Sequence, residues 1–489
     1  LLPESNQTSL TKATVQGTIW AYAATYSGKL LVFISTIVLA RLLSEEDFGV
    51  AGYALVAIGF LEVVQGLGIS SALIYYRDDP QRKNTGFWLG LGFGLFLFGA
   101  TWLAAPLAGW FFRDPRAVEV TRLLGLTFPI SALGSVHNAL LRKELAFGRK
   151  FVPELVRSLG KGIVSITLAL MGFSYWSLII GQLAGTAVSI IAFWRVMPWR
   201  PQFRFNHQMV PDLLKYGGSI ITVDAMGILL LNVDYLMIGR FMTAAALGLY
   251  TIAFRLPELL IKQFSGTVAQ VVFPAYSKMR GDTAMLSRGF LQTMRYVSLI
   301  TVPLGLGLAL TARPFVLVFY SAKWEAAAPI MAAISLYTLL RSLTFNAGDV
   351  YKAQGRPGLL TKLSVVQAIF LIPGLYWAVT GPASLVVVGW VQTAAALFGA
   401  ILNFVVAGKM LNTSFRKMAK ALQPAAIGGF VLIWAVLGAL ALTAQAAPFV
   451  QLIVSVTSGG LAYIGALLLL QRDVVLTAGR TLRMALVRR

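Results

Sequence analysis

The feature that most constrains this chain is the run-and-joint pattern of its hydrophobicity. About fourteen apolar runs of roughly 20 residues follow one another, each long enough to cross a bilayer core as a helix. They occupy residues 13–40, 49–75, 85–112, 119–141, 151–172, 175–197, 213–239, 245–274, 287–311, 326–351, 359–379, 382–408, 418–443 and 449–470. The joints between them are short, which leaves no room for a soluble catalytic domain. Hydrophobic residues make up 57% of the 489-residue chain, against about 45–50% apolar residues in soluble domains. The surplus has to face lipid. The sequence therefore predicts an all-α polytopic membrane protein whose function lies within the helix bundle.

The charges give the direction of each crossing. There are 41 Lys and Arg against 19 Asp and Glu, a net charge of +22. In so apolar a chain this excess reads as membrane topology rather than nucleic-acid binding. Arg77, Arg82 and Lys83 follow the second run, Arg142, Lys143, Arg149 and Lys150 the fourth, and Arg200, Arg204 and Lys215 the sixth. Lys409, Arg416, Lys417 and Lys420 follow the twelfth, and the tail carries Arg472, Arg480, Arg483, Arg488 and Arg489. Alternate joints such as 172–176 (GFSYW) and 380–384 (TGPAS) have no cation. The pattern predicts an even number of spans with both termini in the cytoplasm.

Several chemistries are excluded. The chain has no Cys and only two His, His137 and His207, so neither a thiolate site nor a histidine metal cluster is expected. The glycine run GLGFGLFLFG at 90–99 lies inside a span with no strand before it, and its Gly90 and Gly94 suit helix packing. No phosphate loop of the G-x-x-x-x-G-K-[ST] type and no Ser/His/Asp constellation is present. No catalytic residue, no metal and no resident cofactor are predicted.

One phrase occurs twice. LARLLSEEDFGVAGY around Arg41, Ser44 and Gly49 has the same spacing as IGRFMTAAALGLY around Arg240, Thr243 and Gly248. Each copy closes one span and opens the next, so each is a tight turn. The hydroxyl can cap the new helix, and the glycine lets two helices approach closely. Spans 1–6 and 7–12 would then be parallel repeats facing one another, an arrangement seen in transporters. The expected divisions are 1–210 for the first lobe, 211–412 for the second, and 413–489 for an extra helix pair with a basic tail. Pro153, Pro257 and Pro303 interrupt spans and are candidate hinges or kinks.

The ordered series LARLLSEEDFGVAGYALVAIGFLEVVQGLGISSALI, ALLRKELAFGRK, NVDYLMIGRFMTAAALGLYTIAFRL, VFPAYSKMRGD and YKAQGRPGLLTK resembles the polysaccharide transporters of the multidrug/oligosaccharidyl-lipid/polysaccharide exporter superfamily. The likeness covers nearly the whole chain, and the nearest look is to colanic-acid and teichuronic-acid type exporters. It implies a Wzx-type flippase that carries undecaprenyl-pyrophosphate-linked oligosaccharide repeat units across a bacterial inner membrane. It implies partners in the lipid-linked substrate, membrane lipids and the polysaccharide polymerase machinery. The alternative within the same fold is a cation-coupled multidrug exporter, which would need an anionic cavity.

Charges inside the spans are the candidate site. A charged side chain at a helix centre costs roughly 2.5–3.5 kcal/mol on insertion scales. Lys29, Arg157, Lys161, Arg255, Lys262, Arg295 and Arg341 together would cost on the order of 20 kcal/mol if all faced lipid at mid-depth. Arg295 is placed to snorkel. Local spacing offers pairs: Glu154 with Arg157, Arg255 with Glu258, and Glu258 with Lys262. Lys29, Lys161 and Arg341 have no carboxylate three or four residues away. The expectation is that Lys29, Arg157, Lys161, Arg255, Lys262 and Arg341 line a cationic central cavity that binds the pyrophosphate during alternating access. Related lipid-precursor flippases carry basic residues on their first, second and eighth helices. Lys29 and Arg255 fit that pattern, whereas the charge on span two is Glu62. Glu62, Asp224, Asp234 and Glu258, with Asp349 nearby, are expected to balance the cations or to hold a coupling proton or sodium ion. Spans 13 and 14 are expected to form a groove for the prenyl tail.

Overall fold

The computed structural model describes residues 27–65, 69–75, 79–144, 146–214 and 232–470. Every regular element among them is a helix. In chain order these are α1 (27–42), α2 (Glu45–Gln65), α3 (Ile69–Tyr75), α4 (Pro80–Phe112), α5 (Arg116–Leu124), α6 (Thr127–Lys143), α7 (Phe147–Leu170), α8 (Trp176–Val196), α9 (232–241), α10 (Ala244–Pro257), α11 (Gln263–Lys278), α12 (Thr283–Leu310), α13 (Ala312–Phe319), α14 (Ala327–Ala353), α15 (Gly358–Thr380), α16 (Leu385–Met410), α17 (Phe415–Leu442) and α18 (Pro448–Leu470). Ten helical stretches among the described residues are long and apolar enough to cross a membrane. They coincide with ten of the fourteen expected spans. The other four fall where charge or description interrupts the run. The first and seventh extend beyond the described residues, the second is divided at 66–68, and α7 carries Arg149, Lys150, Glu154, Arg157 and Lys161.

Large apolar side chains lie on the outside, as a lipid solvent requires. Leu103, Leu107 and Trp110 on α4, Phe430 and Trp434 on α17, and Leu461 and Leu469 on α18 are all exposed. The chain divides into two compact units, Leu1–Gly248 and Leu249–Arg489.

In the first unit, odd and even joints collect at opposite ends. At one end Glu46 meets Arg116 at 2.6 Å and the Ser174 hydroxyl donates to Asp47. Arg240 donates to the carbonyls of Trp110 (3.1 Å) and Phe111 (2.8 Å) there. At the other end Lys143 donates to the Leu73 carbonyl (2.9 Å) and the Trp88 indole to the Gln202 carbonyl (2.8 Å). The Gln202 amide closes back on Asn84 Oδ1 (2.9 Å). This second end holds the cation-rich joints read from the sequence. The alternation of spans is thus visible as two physically separate clusters of loops.

The repeated phrase is built as its residues predict. Ser44 caps α2: its hydroxyl accepts from the Asp47 amide (3.1 Å), and Asp47 Oδ2 accepts from the Ser44 amide (2.8 Å) in return. Thr243 caps α10 by accepting from the Ala246 amide (3.2 Å). The two opening turns then press on one another reciprocally. A methyl group on Gly49 would overlap the Ala244 carbonyl, and one on Gly248 would overlap the Glu45 carbonyl and stand 3.1 Å from the Gly49 amide. Each glycine meets the residue four before the other, as a local two-fold relation between the copies demands. Arg240 completes its copy by stacking over Trp110, 5.2 Å from the ring centre.

In the second unit, α14 is the central helix and packs on α11, α12 and α16. The pair α17–α18 is not a loose appendage. Gly429 of α17 faces Val302 and Leu306 of α12, Gly428 faces the Tyr463 ring, and the Tyr463 hydroxyl donates to the Leu299 carbonyl (2.8 Å). Gly428 and Gly429, with buried Ala425, therefore serve helix packing, whereas Ala426 is exposed. The three candidate prolines also differ. Pro153 and Pro303 sit within continuous α-helix, whereas Pro257 is followed at once by a π-helical turn, Glu258–Lys262.

Candidate functional site

On the first unit, the basic residues arise where helices come close over small side chains. A Cβ on Gly28 would stand 3.2 Å from Ser158 Oγ, and one on Gly162 would overlap the Ser35 hydroxyl, so α1 runs against α7. That contact sets Lys29 next to the stretch of α7 bearing Arg157 and Lys161. The latter two are four residues apart and share one side of the helix. Across from them, a Cβ on Gly185 of α8 would come within 2.8 Å of Lys161 Cβ and 2.7 Å of the Arg157 carbonyl. α8 thus lies flat on α7 and covers the base of Lys161, which is half-buried. Lys29 and Arg157 are exposed. Glu62 of α2 is exposed too and lies within electrostatic reach of the Arg157 guanidinium.

The expected pair of Glu154 with Arg157 is corrected. Glu154 Oε1 instead takes Lys150 at 3.1 Å, one turn in the other direction. Arg157 is left to face the Glu62 side. The local sequence offered both partners, and only the side-chain direction along the helix separates them.

On the second unit, Arg255, Glu258 and Lys262 mark the junction between α10 and the π-turn. Glu258 and Lys262 pair at 2.9 Å, as their spacing predicts. Arg255 is half-buried, and its Nε is sealed from solvent with no hydrogen-bond partner. Arg341 of α14 is exposed; its guanidinium donates to the Tyr337 hydroxyl (2.8 Å) and lies 5.7 Å from that ring's centre. Tyr337 in turn meets Phe254, the residue before Arg255, edge to face at 5.9 Å. An aromatic pair therefore links the helices that carry Arg255 and Arg341. Sequence reading missed Tyr337 because it sought carboxylates four residues from Arg341 and passed over a phenol at that spacing.

Of the acidic candidates, Asp234 on α9 is 2% exposed, and its Oδ1 accepts from the Tyr235 amide (3.0 Å). Asp224 lies outside the described residues. The structure so brings Lys29, Glu62, Arg157 and Lys161 to one region of the first unit. It brings Arg255, Glu258, Lys262 and Arg341 to the α10–α14 region of the second.

Residues 38–329, three-fifths of the chain, match the family model described as "Polysaccharide biosynthesis protein". The chain belongs to this family. Members and relatives of the polysaccharide biosynthesis family match it at length. It is 26% identical to the teichuronic acid biosynthesis protein TuaB of Bacillus subtilis (strain 168), over 93% of this chain and 95% of that protein. It is 26% identical to the lipopolysaccharide biosynthesis protein WzxC of Escherichia coli (strain K12), over 75% of each. It is also 26% identical to the succinoglycan biosynthesis transport protein ExoT of Rhizobium meliloti (strain 1021), over 63% of this chain and 62% of that one. The fold is that of the lipid II flippase MurJ in an inward closed conformation, with a TM-score of 0.76 and 17% identity over 94% of this chain and all of the other. An inward-facing multidrug transporter of the MATE family matches at a TM-score of 0.64 and 16% identity, over 78% of this chain. The fold class and the polysaccharide family read from the sequence are both established by these matches.

Proposed function

We propose that this protein carries undecaprenyl-pyrophosphate-linked oligosaccharide repeat units from the inner to the outer leaflet of a bacterial inner membrane. The observation that supports this most is the match to TuaB along almost the full length of both chains. The likeness to a flippase fold over 94% of this chain agrees with it. The cargo is a membrane lipid with an anionic linkage and a bulky polar sugar. The linkage is the part a protein can grip without reading the sugar.

Two sets of cations would grip it: Lys29, Arg157 and Lys161 on the first unit, and Arg255, Lys262 and Arg341 on the second. Charge-assisted hydrogen bonds to phosphate oxygens are stronger than neutral ones. They also remove the penalty of holding these cations at membrane depth. Arg255, with a sealed Nε already short of a partner, is the best placed to gain from an anion. Tyr337 would hold the Arg341 guanidinium flat while it waits for cargo. Glu62 and Glu258 would balance charge when cargo has left. The sets would engage the linkage as the protein alternates between inward-open and outward-open states. The cation-rich ends of the spans, with both termini, would face the cytoplasm.

The test is complementation. A strain lacking its own repeat-unit exporter should recover surface polysaccharide with the wild-type chain and lose it with Lys29→Ala or Arg255→Ala at equal protein level. The MATE likeness supports a second reading, cation-coupled drug export. Drug resistance conferred without any polysaccharide export would favour that reading.

A further inference from the structure

Phe203, between α8 and α9, is 91% exposed, more than any other large apolar side chain among the described residues. Its segment is nevertheless firmly held. The Gln202 amide donates to Asn84 Oδ1 (2.9 Å), the Trp88 indole to the Gln202 carbonyl (2.8 Å) and the Asn206 amide to the Thr85 hydroxyl (3.1 Å). Asn84 and Thr85 are buried. The segment is thus fastened to the first turns of α4 on both sides of a short tip, Phe203, Arg204 and Phe205, all three exposed. Phe203 stacks on the Trp88 ring with centroids 4.7 Å apart and is otherwise open. An apolar ring fixed in this position is unfavourable in water and calls for a cover.

Trp88 indicates what that cover is. It begins the stripe of α4 along which Leu95, Phe96, Leu103, Leu107 and Trp110 are exposed, residues whose spacing puts them on one side of the helix. Lipid is the solvent of such a stripe. Trp88 and Trp110 belong to one helix and stand about 33 Å apart at ~1.5 Å per residue, close to the roughly 30 Å of a bilayer's hydrocarbon core. A tryptophan at each end of a lipid-facing stripe marks the two headgroup boundaries. Phe203, stacked at the Trp88 end, therefore lies at a headgroup boundary, with Arg204 beside it at the level of the lipid phosphates.

The charges agree with that placement. The chain has no acidic residue between Glu154 and Asp212. Arg204 has no ion pair among the described residues. Arg82 and Lys83 stand in the α4 turn to which the tip is fastened, and Asp79 there is taken up in capping α4 by accepting from the Gln81 amide (2.9 Å). Arg200, in contrast, is spent on the segment itself, donating to the Trp194 and Trp199 carbonyls (2.9 and 3.0 Å). We propose that Trp88, Phe203 and Arg204 form a binding site for an anionic phospholipid on the lipid-facing side of the first unit. Phe203 enters the border between headgroups and acyl chains, and Arg204 donates charge-assisted hydrogen bonds to the lipid phosphate. The positive surroundings favour an anionic headgroup over a zwitterionic one. The site depends neither on the cargo nor on which way the chain is oriented.

The experiment uses the full-length chain in nanodiscs, with no lipid-linked sugar present. Because the chain has no Cys, a nitroxide can be placed at Phe203→Cys alone. It should be accessible to oxygen and shielded from a water-soluble nickel chelate, as one at the lipid-facing Leu103→Cys is. Binding of fluorescent phosphatidylglycerol and phosphatidylcholine to the detergent-purified chain is measured in parallel. Arg204→Gln should weaken phosphatidylglycerol about fivefold, the effect of one cation at an anionic surface, with little change for phosphatidylcholine. Arg204→Lys should keep most of the preference. The Arg204 side chain is exposed, so Tm should stay at the wild-type value in both variants. A nitroxide at 203 as open to the nickel chelate as one in buffer would overturn the proposal and point to water or a soluble partner at the tip. A shielded nitroxide with a lipid preference unchanged in Arg204→Gln would overturn it too, leaving Phe203 as a non-selective contact with the bilayer.

Discussion

Gly49 and Gly248 leave no space for a side chain, and each is blocked by backbone rather than by a movable side chain. Substituting either by Ala should therefore cost at least as much as a typical overpacked core, about 1–3 kcal/mol. The loss should appear as a lower Tm of the purified protein, whereas Gly59, with open space around it, should tolerate the same change. The caps beside these glycines can be weighed separately. Ser44→Ala removes a reciprocal cap and should cost about 1 kcal/mol, measurable in the same assay. Both glycines and both hydroxyls were legible in the sequence, because a repeated spacing exposed them. The pairing of Glu154 with Lys150 was not, because Lys150, four residues before it, and Arg157, three after it, both lie within reach. Nor was Tyr337, whose value to Arg341 depends on ring orientation.

The helices were largely legible from the length of their apolar runs, yet the packing of two places was not. α17 and α18 read from the sequence as an extra, nearly charge-free pair that neither lobe needs. The structure shows Gly428 and Gly429 giving α17 close contact with α18 and α12. Charge content cannot reveal such packing, since lipid and a neighbouring helix suit the same apolar residues. Gly429→Leu should consequently destabilise the protein and lower its Tm. Trp434→Leu, on an exposed face, should leave Tm nearly unchanged. The α10–α11 junction is the other case. Pro257 announced a kink, but the π-turn that follows was not readable, because it depends on how the freed backbone groups are re-paired.

At the scale of the whole molecule, the separation of odd and even joints gives a topology test. The chain has no Cys, so single introduced cysteines report cleanly. Ser174→Cys should react with a membrane-impermeant maleimide in intact cells, and Arg204→Cys only after permeabilisation. The reverse pattern would invert the orientation read from the cations. The fold is common to the flippase and the drug transporter that this chain resembles; the cargo is what separates the two readings. The most direct measurement is translocation by the purified protein in liposomes, using a fluorescent undecaprenyl-pyrophosphate-linked oligosaccharide whose outer-leaflet fraction is read by impermeant quenching. The account predicts translocation by the wild type and its loss in Lys29→Ala and Arg255→Ala, with partial activity kept by Lys29→Arg. Wild-type rates in a variant with Lys29, Lys161, Arg255 and Arg341 all changed to Ala would contradict it.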